Sequence, residues 1–297
     1  MVFNNLSEGV LGIISDCLYP KCILNFIVAS GGSLHGNGDT CIEHSISKSP
    51  EAFSSLPVLK QMLERVVLAA VSNDGFVLRD VASHFKVRRN VVEAAVKNKG
   101  TALQYANVYY QTDYSIVLTA VKKDGMALEY TSNALLLNHP DLVLAAVKNN
   151  GMALQHAPIV LFENNADIFM GAVKSNGMAL QFIGHASSEL QSNFDIVHAA
   201  IKNIPSALRF APEKMRNNFE IVLTAVQING HALRFASVEM RNNLKIVQTA
   251  VQTHGTALEF VSMELRNNSE IAFTAVKSNG AALESVSYTH LTLPTKA

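Results

Sequence analysis

The sequence contains no tryptophan, and its three cysteines, Cys17, Cys22 and Cys41, all lie near its beginning. This excludes a fold stapled by disulfides and favours a reducing, cytoplasmic location. Charged residues make up only 16% of the chain, and 24 basic residues balance 24 acidic ones, so the net charge gives no reason to bind nucleic acid or an anionic membrane. Hydrophobic residues account for 48%, which is typical of a folded chain and not of a disordered one.

The sequence also lacks a convincing membrane segment. Its most apolar stretch, residues 10–30, is interrupted by Asp16, Pro20 and Lys21, which are costly at the centre of a membrane span. No basic segment precedes this stretch, as a signal peptide requires. We therefore expect an apolar helix there and no membrane association.

A motif close to I-V-x-x-A-V-K-x-N-G-x-A-L-x-F-A recurs through most of the chain, with its glycine at intervals of 25 to 28 residues. Self-similarity at a fixed period is the signature of a repeat architecture. The glycine slot is occupied by Gly75, Gly100, Gly125, Gly151, Gly177, Pro205, Gly230, Gly255 and Gly280.

The seventh unit illustrates how each repeat is expected to fold. Asn217 is predicted to end one element in a left-handed conformation, and Asn218 to cap the next helix with its side-chain oxygen. Gly230 is predicted to end that helix at a positive φ, and a second, shorter helix follows. The first helix presents one apolar stripe, formed by Ile221, Val222, Ala225 and Val226.

Helices of about ten residues are marginal on their own in water, so their stability must come from neighbouring copies. The pattern therefore predicts an all-α fold, an α-solenoid of about nine 25-residue helix–turn–helix repeats. A column that stays small predicts close approach between helices. It consists of Ala70, Ala95, Ala120, Ala146, Ala172, Ala200, Ala225, Ala250 and Ala275.

Three regions are expected along the chain. Residues 1–64 form an N-terminal region with the apolar helix and a glycine-rich linker, and residues 65–286 form the repeat array. Residues 287–297 are expected to be a non-native tail, because the sequence from 286 to 295 resembles the translation of a sequencing adaptor; a natural tail is the alternative. The adaptor interpretation implies that the native protein continues beyond this point.

The units, such as residues 221–236 closed by Met-Arg-Asn-Asn at 240–243, resemble a repeat family catalogued as domain of unknown function 4116. The resemblance covers residues 65–285 and implies an all-helical repeat found in multi-copy arrays. It carries over no catalytic residue. The first unit and the sixth, with Pro205 in the glycine slot, depart from the pattern, and we expect the first to serve as a cap.

The sequence predicts no enzyme, no cofactor and no metal site. It contains no G-x-S-x-G, H-E-x-x-H or kinase signature. The cysteines, His35 and His44 are suitable zinc ligands, but their spacing matches no zinc finger. The histidines of the repeat array fall in different repeat columns and are not expected to converge, as acid–base catalysis requires. They are His84, His139, His156, His185, His198, His231 and His254.

Two basic columns are interpreted as solvated cations at helix ends. One contains Lys97, Lys122, Lys148, Lys174, Lys202 and Lys277, and the other contains Arg216, Arg241 and Arg266.

The outward column of the second helix stays polar but changes identity, as expected where a repeat scaffold selects its partner; a solvated face is the alternative. Met126, Met152, Met178 and His231, one turn earlier, add an adaptable strip. The predicted partner-binding residues are Gln104, Glu129, Gln155, Gln181, Arg209, His231, Arg234 and Glu259.

The sequence therefore predicts a non-enzymatic scaffold that binds a protein or peptide. A first alternative is a substrate-targeting arm of an enzyme whose catalytic domain lies beyond the truncation. A second is a nucleic-acid-binding helical repeat, which the balanced charge disfavours.

Overall fold

The computed structural model describes residues 64–285, and every regular element in that range is an α-helix or a 3-10 helix. The all-α prediction is therefore confirmed for the part of the chain that carries the repeats. None of the helices described is long and apolar enough to cross a membrane. The expected apolar N-terminal helix, the glycine-rich linker, the cysteine-containing ligand set and the adaptor-like tail lie outside the described residues.

Nine α-helices of ten residues recur through residues 64–285, and they are numbered α1 to α9 in chain order. They are Glu64–Asn73, Arg89–Asn98, Tyr114–Lys123, Pro140–Asn149, Ala166–Ser175, Phe194–Asn203, Phe219–Ile228, Leu244–Thr253 and Ser269–Ser278. Each of α1 to α8 buries four residues of its apolar stripe, and α9 buries Ile271 and Ala275. In α7, Ile221, Val222, Ala225 and Val226 are fully buried, as predicted.

The second helix of each repeat is a 3-10 helix and begins at the glycine slot. Its turns close between residues three apart, as in the bonds from Ala232 N to Asn229 O at 2.9 Å and from Ala236 N to Leu233 O at 3.1 Å. These helices are numbered η1 to η9 in chain order. They are Gly75–Arg79, Gly100–Tyr105, Gly125–Tyr130, Gly151–His156, Gly177–His185, Pro205–Phe210, Gly230–Phe235, Gly255–Phe260 and Gly280–Ser285.

A short linking α-helix returns the chain to the next long helix in most repeats. Its last inward residue is buried in most cases, for example Leu136, Phe162 and Met240. The linking helices are Val108–Gln111, Asn133–Asn138, Ile159–Phe162, Ser188–Gln191, Glu213–Arg216, Val238–Arg241 and Met263–Arg266.

The chain divides into two compact units, residues 1–149 and residues 150–297. In the described part of the first unit, successive long helices α1 to α4 pack side by side, and each 3-10 helix contacts the long helix of the following repeat. The described part of the second unit, with α5 to α9, has the same arrangement. In both units the core lies between the long helices and the 3-10 helices.

Of the two asparagines between repeats, one has the predicted role and the other does not. Asn218 caps α7 as expected, because its Oδ1 accepts the backbone N–H of Ile221 at 3.1 Å. Asn217, however, has φ −100° and ψ 3°, so the predicted left-handed conformation is wrong. It ends the linking helix without needing a positive φ, and its amide donates to Glu239 Oε2 at 2.8 Å.

The glycine slot also has a different cause from the one predicted. Gly230 begins η7 and does not have a positive φ. A Cβ built on it would lie 2.3 Å from the carbonyl oxygen of Ala250, in the long helix of the next repeat. The same contact would occur at 2.2 Å between Gly255 and Ala275. Glycine is required here because two backbones meet, which confirms the close approach predicted at the alanine column.

Candidate functional site

The last residue of several long helices forms a polar clamp between neighbouring repeats. Asn98 Oδ1 accepts the N–H of Gly75 at 2.9 Å, while its Nδ2 donates to the carbonyl of Ser72 at 3.0 Å. Asn149 makes the corresponding bonds to Gly125 and to the carbonyl of Lys122. Since each clamp satisfies polar groups of the preceding repeat, this column holds the array together and presents no free site. The repeat motif leaves this position unspecified, so the clamp could not be predicted from it.

The clamp varies where the sequence does. Ser175 Oγ accepts from Gly151 at 3.2 Å. At the Gly230 junction the acceptor lies one residue later in the motif, because His254 Nδ1, which follows the last residue of α8, accepts from Gly230 at 3.1 Å. The Pro205 slot has no N–H, and the corresponding helix position carries Ile228, which has no side-chain acceptor. At this junction, Pro205, which has no N–H to donate, therefore lies opposite Ile228, whose side chain has no acceptor.

The predicted polar column lies on the outward face of the 3-10 helices. Gln104 and His231 are half-buried. The other predicted partner-binding residues, Glu129, Gln155, Gln181, Arg209, Arg234 and Glu259, are exposed.

An aromatic column, for which no role was predicted, runs beside the polar column. Each of its rings directly follows a polar-column residue and is half-buried, so one part of the ring reaches the surface. The phenylalanine of the repeat motif was the available signal. The column consists of Tyr105, Tyr130, His156, Phe182, Phe210, Phe235 and Phe260.

Two arginines of the polar column lie over rings of the aromatic column. The Cζ of Arg209 lies 4.5 Å from the centroid of Phe210, and the Cζ of Arg234 lies 4.8 Å from Phe235 and 5.8 Å from Phe260. Within residues 64–285, neither guanidinium has a hydrogen bond or an ion pair. Ring stacking thus positions two planar cations whose N–H groups are available to a carboxylate or phosphate.

The prediction that the histidines do not converge is wrong for one pair. The rings of His231 and His254 have centroids 4.8 Å apart, and His231 Nε2 lies 2.8 Å from Thr256 Oγ1. The two histidines flank different glycines, but the residue after one glycine packs against the residue before the next. Phe76 and Lys99 meet by the same register, at 4.3 Å from Nζ to ring centroid.

The three predicted methionines Met126, Met152 and Met178 are half-buried beside the polar column. Gln181 Nε2 lies 3.5 Å from Met152 Sδ, and Ser206 Oγ lies 3.9 Å from Met178 Sδ, so the sulfur atoms of Met152 and Met178 contact the next repeat. These two methionines contribute to the packing between repeats as well as to the surface.

The two basic columns differ in their exposure to solvent. The lysines at the ends of the long helices are exposed, as predicted. Arg216, Arg241 and Arg266 are half-buried, so the prediction that they are solvated is wrong. Arg266 Nε donates to the carbonyl of Val261 at 3.0 Å, which ties its linking helix to the end of η8.

The first unit has an open groove between α3 and α4, lined by Tyr114, Leu118, Lys122, Asp141 and Leu144 with neighbouring residues. The Tyr114 hydroxyl donates to Asp141 Oδ2 at 2.6 Å. This hydrogen bond, with burial and the negative charge of Asp141, raises the pKa of Tyr114 above its ordinary value.

Ion pairs join repeats of the first unit. Arg89 Nη1 lies 2.9 Å from Asp113 Oδ2, while Asp113 Oδ1 caps α3 by accepting the N–H groups of Ser115 and Ile116, each at 3.0 Å. Burial raises the pKa of Asp113, but the hydrogen bonds from Ser115 and Ile116 and the charge of Arg89 outweigh it. The pKa is therefore held below its ordinary value. Asp113 thus acts as both a helix cap and an inter-repeat anion.

Across residues 64–285, no group of three or more histidine, cysteine, aspartate or glutamate side chains is arranged to hold a metal ion. The chemistry that the described surface offers is recognition through stacked cations, carboxylates and half-buried rings.

The array of short helices with a shared inter-repeat core defines an all-helical tandem-repeat protein. The sequence profile described as Domain of unknown function (DUF4116) matches the chain over residues 64–111, 88–136, 113–161, 139–191, 193–241 and 243–291. The chain belongs to this family. Each match contains two successive long helices, and therefore one complete junction between repeats. Neither the curated proteins nor the solved structures gave a significant match.

Proposed function

We propose that the protein is a non-enzymatic scaffold that binds a protein or peptide through the polar and aromatic columns of its 3-10 helices. The observation that carries this proposal is the pair Arg209 and Arg234. Both are exposed, both stack on rings, and neither has an anionic partner among the described residues. A surface that only had to be soluble gains little from orienting cations in this way, whereas a binding surface gains preorganisation.

The proposal includes a continuous α-solenoid of about nine 25-residue repeats. Its support is that neighbouring repeats within each unit use the same contacts. Deleting residues 243–267, one whole repeat, should leave a shorter folded helical array. Circular dichroism and hydrogen exchange would measure this, and global loss of protection would contradict the solenoid.

A peptide-display selection on the full chain tests the binding function. The selected peptides are then assayed on a variant in which the six exposed polar-column residues Glu129, Gln155, Gln181, Arg209, Arg234 and Glu259 are replaced by alanine. The matched control replaces six exposed long-helix residues, Lys122, Lys148, Lys174, Lys202, Gln227 and Gln252, by alanine.

We expect the selected peptides to lose binding to the polar-column variant and to keep it with the long-helix control. Circular dichroism verifies that both variants remain helical. Equal binding to both variants, or a selection that enriches no peptide, would contradict the proposed function.

We also propose a cytoplasmic location, supported by the absence of cysteine from the repeat region. Fractionation of cells that express the chain tests it, and recovery in the secreted fraction would contradict it.

A further inference from the structure

The charges of the polar column follow a defined order along the second unit. Residues Gln155 and Gln181 are neutral, the next two repeats carry Arg209 and Arg234, and the following repeat carries Glu259. The two arginines and the glutamate are exposed and have no ion pair within the described residues. Glu284 holds the same position in the last described repeat and is also exposed, so the second unit offers two cations and then two anions, at one residue per repeat.

The spacing of these charges limits the partner's conformation. Packed helices lie about 8–10 Å apart, so equivalent side chains of successive repeats are separated by about that distance. A polyproline II chain has three residues per turn and rises about 3.1 Å per residue, so residues i and i+3 share a face about 9.3 Å apart. In a β-strand, residues on one face recur every 6.6–6.8 Å or so, which does not fit one charge per repeat.

The half-buried rings support the same conformation. Phe182, Phe210, Phe235 and Phe260 form an aromatic floor beside the charges, and aromatic-lined grooves are the usual docking sites for polyproline II segments. The guanidinium groups of Arg209 and Arg234 lie over two of these rings, at 4.5 Å and 4.8 Å from Cζ to ring centroid. The rings would thus contact the backbone and prolines of an extended ligand, and the polar column would pair with its charged side chains.

We propose that the second unit binds an extended, polyproline II peptide with two acidic residues and one basic residue at three-residue intervals, facing Arg209, Arg234 and Glu259. The peptide reads E-x-x-E-x-x-K or, when it runs in the opposite direction, K-x-x-E-x-x-E. This inference rests on the proposed function and specifies the chemistry of its partner.

The test uses fluorescent peptides on the full chain, with binding measured by anisotropy. The probes are PPEPPEPPKPP and its reverse-order counterpart PPKPPEPPEPP. The composition-matched control PPEPPKPPEPP places the base in the centre and fits neither direction. We expect one of the two probes to bind about tenfold or more tightly than this control.

Charge-reversing variants test the contacts themselves. Arg234→Glu should weaken binding of the preferred probe by about tenfold or more. The matched control Lys202→Glu makes the same change at an exposed long-helix residue of the same unit and should leave the affinity unchanged. The triple variant Arg209→Glu, Arg234→Glu, Glu259→Lys should instead prefer the charge-inverted peptide PPKPPKPPEPP.

Four outcomes would overturn the inference. They are equal binding of the probes and the central-base control, an equal loss in Lys202→Glu and Arg234→Glu, preference for a helical peptide with its acids seven residues apart, and preference for a single-stranded oligonucleotide. If display selection nevertheless yields other peptides that depend on the polar column, the proposed function stands and only this ligand chemistry falls.

Discussion

The side-chain oxygen of Asn203 accepts the backbone N–H of Gly177 at 2.8 Å, although the two residues belong to successive repeats. The amide nitrogen of Asn203 completes the clamp by donating to the carbonyl of Lys174 at 3.0 Å. One side chain thus satisfies two backbone groups at the end of the preceding long helix and the start of its 3-10 helix. Several predictions about stability depend on this junction.

Replacing Asn203 with alanine should leave the Gly177 N–H and the Lys174 carbonyl without these partners, and should cost about 1–3 kcal/mol. The urea midpoint of the helical signal measures the loss. Lys123→Ala is the matched control, because Lys123 occupies the same helix position, is exposed and makes no polar contact within the described residues. An equal shift in both variants would show that the clamp contributes nothing specific.

Gly255→Ala should be strongly destabilising, since its Cβ would meet the Ala275 carbonyl oxygen at 2.2 Å. Forcing the two backbones apart should cost about 1–3 kcal/mol or more. Gly280→Ala, at the same position of the last described repeat, meets nothing within 4 Å and should be neutral or slightly stabilising. Thermal melts of the two variants would measure the contrast, and identical melting temperatures would refute the close-approach explanation.

Ala225→Leu should also be destabilising, by about 1–3 kcal/mol, because Ala225 is fully buried within the inter-repeat core. The control Ala166→Leu adds the same side chain at an exposed position, which Leu244 occupies in a later repeat. We expect the control to melt as the parent does. If Ala225→Leu melted at the same temperature as the parent, the alanine column would not be a packing constraint.

Pro205 and Ile228 should behave as a coupled pair. Pro205→Gly alone introduces an N–H with no acceptor opposite, and Ile228→Asn alone introduces an acceptor with no donor. Together they recreate the glycine–asparagine clamp, so a double-mutant cycle should give a favourable coupling of about 0.5–3 kcal/mol. Urea denaturation of the four proteins measures it, and simple additivity would contradict it.

Asp113 should make the stability of the first unit depend on acid pH. Because its pKa is lower in the folded state, its contribution is present above the ordinary carboxyl pKa of about 4 and is lost as the pH falls through the folded pKa. Asp113→Asn keeps a capping oxygen but removes the charge facing Arg89. We expect the parent to be more stable at neutral pH and the difference to disappear between about pH 5 and pH 2. A difference that does not change with pH would contradict the assignment.

The repeat period, the apolar stripe and the caps could be predicted from the sequence because they depend on residues close together in the chain. Asn218 is an example, since the helix that it caps begins at the next residue. The reason for the glycines could not be predicted in the same way. Gly230 reads as a helix terminator in isolation, and only the position of Ala250 in the next repeat reveals the constraint.

The same distinction, between local features and contacts with the next repeat, applies to the candidate site. The exposure of Arg209 and Arg234 follows from their outward repeat position, and their contacts with Phe210 and Phe235 join neighbouring residues of one 3-10 helix. The contact of Arg234 with Phe260, however, depends on how far each 3-10 helix is displaced from the next. The contact between His231 and His254 was missed for this reason. Columns aligned on the glycine place these histidines apart, whereas the displacement between repeats brings them together.

The matched junction at Pro205 and Ile228 means that the repeats are not freely interchangeable modules. Excising residues 243–267 would bring Gly230 opposite Ser278, whose hydroxyl can accept its N–H as Ser175 does for Gly151. Excising residues 193–217 would instead bring Gly177 opposite Ile228 and leave the N–H of Gly177 without a side-chain acceptor. When this array is shortened or rearranged, the unit that can be moved is therefore a neighbouring pair of repeats with its junction, and not a single repeat.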